Sequence, residues 1–312
     1  MLSRPAFLAT IPLVGAAVGR ARAQTAVIRV GALPTDGFAE AYYAADMGFF
    51  AKNGLNVEIS SFHNGGEISA AIIGGSLDVG VSSPISLANA YLRGIPLVYI
   101  AAGNIYNSAA PTIGFCVAKE SPLRTAKDFE GKTISVNGYK DPTHLSILAW
   151  LAKNGADVAK VSITELPASE TGQALARGTV AGAVIPEPFL SAAISSGDAR
   201  FFAKCFDAIG NGIMLGGWFA RADWVKKNPE IAKRFVATIY QTARWANANH
   251  DRSAVILQKY SHISDATLRV MTRVVYATSL TPAMINPTLQ LAASYKFTDR
   301  PVSGADLIAR IA

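Results

Sequence analysis

A chain of 312 residues, half of them apolar and 16% charged, can bury one large core or two medium ones. Such a composition excludes a disordered chain. The formal charge of +7 drops to about +4 without Arg4, Arg20 and Arg22, and the other Lys and Arg are scattered, which argues against a nucleic-acid partner.

The N-terminus carries a compartment signal. Met1 to Arg4 is a short basic start, Pro5 to Gly19 an apolar run, and Ala21-Arg22-Ala23 a small-x-small cleavage pattern before Gln24. The run is too short to span a bilayer comfortably. Residues 1–23 therefore read as a signal peptide cleaved near Ala23-Gln24, and the mature protein as periplasmic. Pro5 stands where a twin-arginine signal has its second Arg, which favours the general secretory route. No Cys follows the run to take a lipid.

Val27 to Leu33 reads as a buried strand, and Pro34-Thr35-Asp36-Gly37 as a turn offering helix caps. Glu40 to Lys52 has helical apolar spacing, ended by Asn53-Gly54. Leu55 to Ile59 alternates as a strand, Asn64-Gly65-Gly66 turns into a helix, and Leu77 to Val81 is a strand. Ser82-Ser83-Pro84 caps a helix from Ile85 to Arg93, and Leu97 to Ala101 is the next strand. Asn104 to Pro111 reads as a crossover, Thr112 to Ala118 as a strand, and Lys127 to Lys132 as a short helix and turn. A second βαβαβ set spans about residues 132–189. Phe201 to Lys204 and Ile213 to Ala220 read as strands, with glycines 210, 212, 216 and 217 marking a second crossover. From Pro229 onward the pattern is nearly all helix.

Two stretches are built alike. Glu67 to Pro84 and Glu170 to Pro188 each open on an acidic residue, reach a glycine eight positions later (Gly75, Gly178), and continue into a short strand and a Pro-containing loop. Upstream, Ile28 to Asp36 is matched by Ile134 to Pro142. A βαβαβ unit written twice predicts two similar α/β lobes with a ligand site between them. With no low-complexity linker, paired strands rather than a tether should join the lobes.

The usable surface of parallel α/β sheets lies beyond the strands' carboxyl ends, where helix starts present free N–H groups that suit anions. In the first lobe the candidate ligand-binding residues are Thr35, Asp36, Phe38, Asn64, Gly65, Ser82 and Ser83. In the second they are Gly138, Tyr139, Thr143 and His144, within the loop 137–144, and Glu187; Trp218 completes the set. Asp36 and Glu187 would suit an amine, Lys140 and the helix starts an acid group, and Phe38, Tyr139, Phe189 and Trp218 an apolar portion. Plainer readings stand beside these: capping or turn roles for the small and acidic residues, core packing for the aromatics.

Cys116 and Cys205 leave one disulfide and two buried thiols both open. His63, His144, His250 and His262 show no metal-ligand spacing, so no metal or cofactor is expected. The chain has no Gly-x-Ser-x-Gly, P-loop or His-Glu-x-x-His motif, which argues against an enzyme.

The stretch Gly48-Phe49-Phe50-Ala51-Lys52-Asn53-Gly54-Leu55-Asn56-Val57 resembles the "G-[FY]-F-x-K-x-G-L-x-V" signature of periplasmic solute-binding proteins of ABC importers, in the nitrate/sulfonate/taurine and pyrimidine-precursor subgroup. Gly75-Ser76-Leu77-Asp78-Val79-Gly80 resembles that family's "G-x-x-D-[IV]-G" element, and Lys127 to Lys132 its "D-L-K-G-K" turn. Gly138 with Thr143-His144-Leu145 resembles its second-lobe loop. The resemblance implies a type II periplasmic-binding-protein fold: two α/β lobes, two hinge crossovers and a helical C-terminal segment. Residues 24–111 with 217–312 would form lobe 1, and 112–216 lobe 2. It implies a monomer that captures a small organic acid, sulfonate or zwitterion by lobe closure and delivers it to a permease and ATPase. The alternatives are a pyrimidine-precursor binder or enzyme of the same fold, or a ligand-binding sensor. Two departures stand out: Tyr139-Lys140-Asp141 occupies a place where sulfonate binders usually carry small hydroxyl residues, and Ala181 replaces the acidic residue that Asp78 supplies. Alanine at Asp36 or Glu187 is expected to weaken binding without unfolding the protein.

Overall fold

The structure, a computed structural model, describes residues 26–62 and 64–311; the signal-peptide reading of residues 1–23 lies outside them. Twelve strands are used here: β1 (Val27–Ala32), β2 (Asn56–Ser61), β3 (Val79–Ser82), β4 (Leu97–Ala102), β5 (Asn104–Ile105), β6 (Ile113–Ala118), β7 (Thr133–Val136), β8 (Ser162–Glu165), β9 (Gly182–Pro186), β10 (Ala199–Ala203), β11 (Gly217–Arg221) and β12 (Val275–Tyr276).

The sheet order shows why the two stretches look alike. One sheet runs β2-β1-β3-β11-β4 and the other β8-β7-β9-β6-β10. In each, the first three strands are parallel, and the fourth is antiparallel to both neighbours. Registers agree too: Val30 faces Val79 as Ile134 faces Gly182. Ala181 donates its N–H to the Thr133 carbonyl at 2.8 Å, as Asp78 does to that of Arg29 at 2.9 Å. The Asp78/Ala181 difference is thereby explained. Asp78 pairs with the Arg29 guanidinium at 2.8 Å, and Thr133 leaves Ala181 nothing to pair with.

Close helix–sheet packing is written in small residues. A Cβ at Gly80 would collide with Ile68 of the helix Gly65–Ile73, so the glycine lets that helix lie on β3. The helix expected over residues 40–52 is two pieces, Glu40–Asp46 and Phe49–Lys52, split at Gly48, whose φ is +67°. The left-handed residue turns the chain so that Phe49 and Phe50 both go inward. Phe50 stacks on Phe235, with ring centroids 5.8 Å apart.

The C-terminal segment departs from an all-helical expectation. Pro229–Ala248, His250–Ser261, Asp265–Val270 and Asn286–Ser294 are helices. Residues 271–285 and 295–311 are largely irregular, with bends and short 3-10 turns, and include β12, which pairs with β5. A pairing with a strand some 170 positions earlier leaves no local periodic trace.

The lobes are joined by paired strands, as the absence of a linker implied. Gly103 donates its N–H to Gly216 O at 3.1 Å, Leu215 to Asn104 O at 3.0 Å, and Tyr106 to Ile213 O at 2.8 Å. No helix among the described residues is long and apolar enough to cross a membrane.

Cys116 and Cys205 are buried and free. Burial pushes the Cys205 thiol up to about 12, and that of Cys116 well above its ordinary range. Neither should react with a thiol reagent in native buffer, and both should in denaturant. Stoichiometric labelling of the folded protein would contradict this packing.

Candidate functional site

The C-terminal segment makes contacts on two flanks of the region where the lobes meet. On one flank Ile85 and Leu145 share a buried cluster with Ala292 and Phe297. Ile85 lies in the first turn of the helix Pro84–Leu92 and Leu145 in that of Pro142–Lys153, so helix starts from opposite lobes converge there. The His144 ring packs on Phe297, centroids 4.8 Å apart. Burial first, and the Lys140 charge second, lower the His144 pKa to about 4. The ring is therefore neutral near pH 7, and its Nδ1 accepts the Lys140 N–H at 3.0 Å.

On the other flank residues 272–274 form a strap. Arg273 donates Nη2–H to Asp36 Oδ1 at 2.8 Å and Nε–H to Oδ2 at 3.0 Å. Val274 N–H reaches Oδ2 at 2.9 Å, and Tyr43 O–H reaches Oδ1 at 3.2 Å. One residue earlier, Thr272 N–H donates to Glu187 Oε1 at 3.1 Å. Glu187 also accepts from Ser191 Oγ at 2.7 Å and Ser191 N–H at 3.1 Å. Burial, chiefly, raises the Glu187 pKa.

Between the flanks lie the carboxyl ends of β1, β3 and β7. A Cβ at Gly216 would strike the Phe38 ring at 2.5 Å, and one at Gly65 would sit 3.2 Å from Ser82 Oγ. Phe38, Ser82, Gly65 and the hinge are thus packed together. In the second lobe Thr143 Oγ1 accepts the Asn137 N–H at 3.1 Å and donates to Asp141 Oδ1 at 2.6 Å. The helices starting at Gly65, Pro84 and Pro142 are capped by Asn64, Ser83 and Asp141. Their remaining N–H groups give this region a positive local potential.

Several candidates have other employment. Asp36 is wholly buried and its carboxylate is taken up by Arg273, Val274 and Tyr43, so it cannot also hold a ligand amine. Trp218 is 0% exposed: the pleat of β11 turns it into the core against Phe235, and its indole N–H donates to Glu40 Oε2 at 2.6 Å. Tyr139 is 57% exposed and its hydroxyl donates to Ile163 O of β8, along the outside of the sheet. Asn64 and Ser83 spend their side chains on capping, and Thr35 precedes the 3-10 turn Asp36–Phe38 without a capping bond. Of the other candidates, Phe38, Gly65 and Ser82 pack together beside the hinge, Gly138, Thr143 and His144 lie in or just after the loop that follows β7, and Glu187 meets Thr272. Arg273, Thr272 and Phe297 escaped the sequence reading because their partners are between 85 and 237 positions away. Among the described residues no cluster of His, Cys, Asp or Glu is placed to hold a metal.

Two lobes of one topology, a paired-strand hinge and helix starts that converge from both lobes define the type II bilobal fold. Residues 36–253 match the family described as NMT1/THI5 like, and the chain belongs to it. A taurine-binding periplasmic protein of Escherichia coli is 27% identical over 208 residues, 66% of this chain and 62% of that protein; the chain thus spans less than two thirds of that relative's length. Among solved structures, the periplasmic aliphatic sulphonate binding protein SsuA of Escherichia coli superposes with a TM-score of 0.76 at 19% identity, covering 92% of each chain. The alkanesulfonate-binding protein SsuA of Xanthomonas axonopodis pv. citri, bound to MOPS, gives 0.75 at 20%, covering 92% of this chain and 99% of that one. At these identities the two structures bear on the fold alone.

Proposed function

We propose that this protein is the extracytoplasmic solute-binding component of an ABC importer. It captures a small organic acid, sulfonate or zwitterion between its lobes, without catalysis, and delivers it as a monomer to a permease and its ATPase. Export, with cleavage near Ala23-Gln24, is part of the reading, as is the division into lobe 1 (24–111 with 217–312) and lobe 2 (112–216). The observation that carries it is the convergence of the helix starts at Pro84 and Pro142 on one buried cluster. Free N–H groups aimed at a common gap favour an anionic group in it. The carboxylates of Asp36 and Glu187 are occupied by internal donors, which weakens the case for an ammonium held between them.

Closure carries the capture. A thermal-shift panel of sulfonates, short carboxylates, pyrimidines and nitrate should find a stabilising compound, and scattering at saturation should show a smaller radius. No response to any of them, or an unchanged radius, would sink the reading. Glu187→Ala should weaken binding by roughly 10–100-fold, because the bond from Thr272 joins residues of the two proposed lobes and on this reading helps to hold them together around the solute. Calorimetry with the stabilising compound checks this, and unaltered affinity would remove Glu187 from the closing machinery.

A further inference from the structure

We propose that Asn104 and Asn137 are the side chains that read the solute, one from the hinge and one from the second lobe. The inference rests on the solute-binding reading above. Asn104 is 5% exposed, and its Oδ1 is buried with no hydrogen-bond partner. Asn137 Oδ1 is likewise buried and unpartnered. Of the buried side-chain atoms left without a partner among the described residues, only these two belong to carboxamides.

Their places in the fold point to the gap. Asn104 opens the hinge strand β5, and its amide nitrogen lies 2.9 Å from where a Cβ of Gly37 would be, beside the Phe38 turn that follows β1. Its backbone carbonyl accepts from Leu215 N–H at 3.0 Å, so this hinge bond does not use the side chain. Asn137 directly follows β7, and its own N–H is fixed by Thr143 at 3.1 Å. Here too the backbone N–H is anchored and the side-chain oxygen is left without a partner.

A buried amide without a partner weakens the fold that carries it, and an apolar side chain of similar volume would not. Both positions therefore make sense when something from outside completes them. A carboxamide donates from nitrogen and accepts at oxygen. A bare anion would satisfy only the two NH2 groups. A solute with an acid group and an N–H or O–H donor satisfies the oxygens as well, so these residues select for that second function.

The test uses the mature protein with Asn104→Leu, Asn137→Leu and the double variant. Calorimetry measures 2-aminoethanesulfonate against ethanesulfonate, and unfolding is followed without any probe. The wild type should prefer the amino compound by about tenfold or more, as sites built to pair a donor do. Each leucine should erase that preference and raise the unfolding midpoint of the empty protein by about 2–4 °C. Variants that keep the preference, or that unfold earlier than the wild type when empty, would overturn the inference and leave the solute-binding reading standing. A folded wild type that binds neither these two nor any compound of the panel would end both.

Discussion

Asp36→Ala should destabilise the empty protein by about 3–5 kcal/mol. The Arg273 side chain is 10% exposed, and among the described residues Asp36 is its sole carboxylate partner. Removing the carboxylate strands a desolvated guanidinium and also leaves Val274 N–H and Tyr43 O–H without their acceptor. Breaking one half of a buried pair costs more than the pair contributes, because the remaining charge cannot regain its water. Urea unfolding measures the loss. Asp36→Asn, which keeps an acceptor for Val274, should fall between the two. This outcome is the opposite of the expectation from the sequence, that alanine here weakens binding and spares the fold. A variant of wild-type stability that merely binds less would restore it.

Glu40→Gln should flatten the pH dependence of stability. Glu40 is 0% exposed, with one oxygen on the Trp218 indole and the other without a partner. Burial pushes its pKa up to about 8. The charged and polar groups that face it offer no cation: Trp218 donates one hydrogen bond, and Tyr240 and Tyr276 are neutral phenols. The sign follows from proton binding. Between the ordinary glutamate value and about 8 the unfolded chain has released this proton and the folded protein keeps it, so stability falls as pH rises through that window. The full difference is on the order of 4–5 kcal/mol, complete by about pH 8, and it vanishes below the unfolded pKa. Glutamine can still accept from the indole and has no proton to lose. At pH 8 the variant should outlast the wild type, and at pH 5 the two should be close. Parallel stability profiles from pH 5 to 8 would show that Glu40 is ionised in the fold.

The same two residues show how far sequence reading reaches. Both stand in the turn and helix that follow β1, a place the sequence reading assigned to a ligand site. From that place alone Asp36 read as a ligand carboxylate, and Glu40 as an ordinary helix residue. Their true roles depend on Arg273 and Trp218, 237 and 178 positions away. For Asn64 and Ser83 the plainer capping reading prevailed, since a cap is a bond over three residues that local sequence can specify. The plainer reading, core packing, also prevailed for Trp218, but which face of β11 points into the core depends on the helix Pro229–Ala248 packed against it.

By itself the sequence determined the architecture. Apolar runs of strand length, helix caps and glycines repeat in the same order twice, and each repeat folds through contacts among near neighbours into the same β2-β1-β3 and β8-β7-β9 arrangement. Only the tertiary structure decided which polar groups are left without an internal partner. That depends on long-range pairing: residues 271–297 return across both lobes and claim Asp36, Glu187 and the His144 face, while Asn104 and Asn137 go unclaimed. A carboxylate's availability is set by what its neighbours in space have already taken, and short-range pattern carries no record of that.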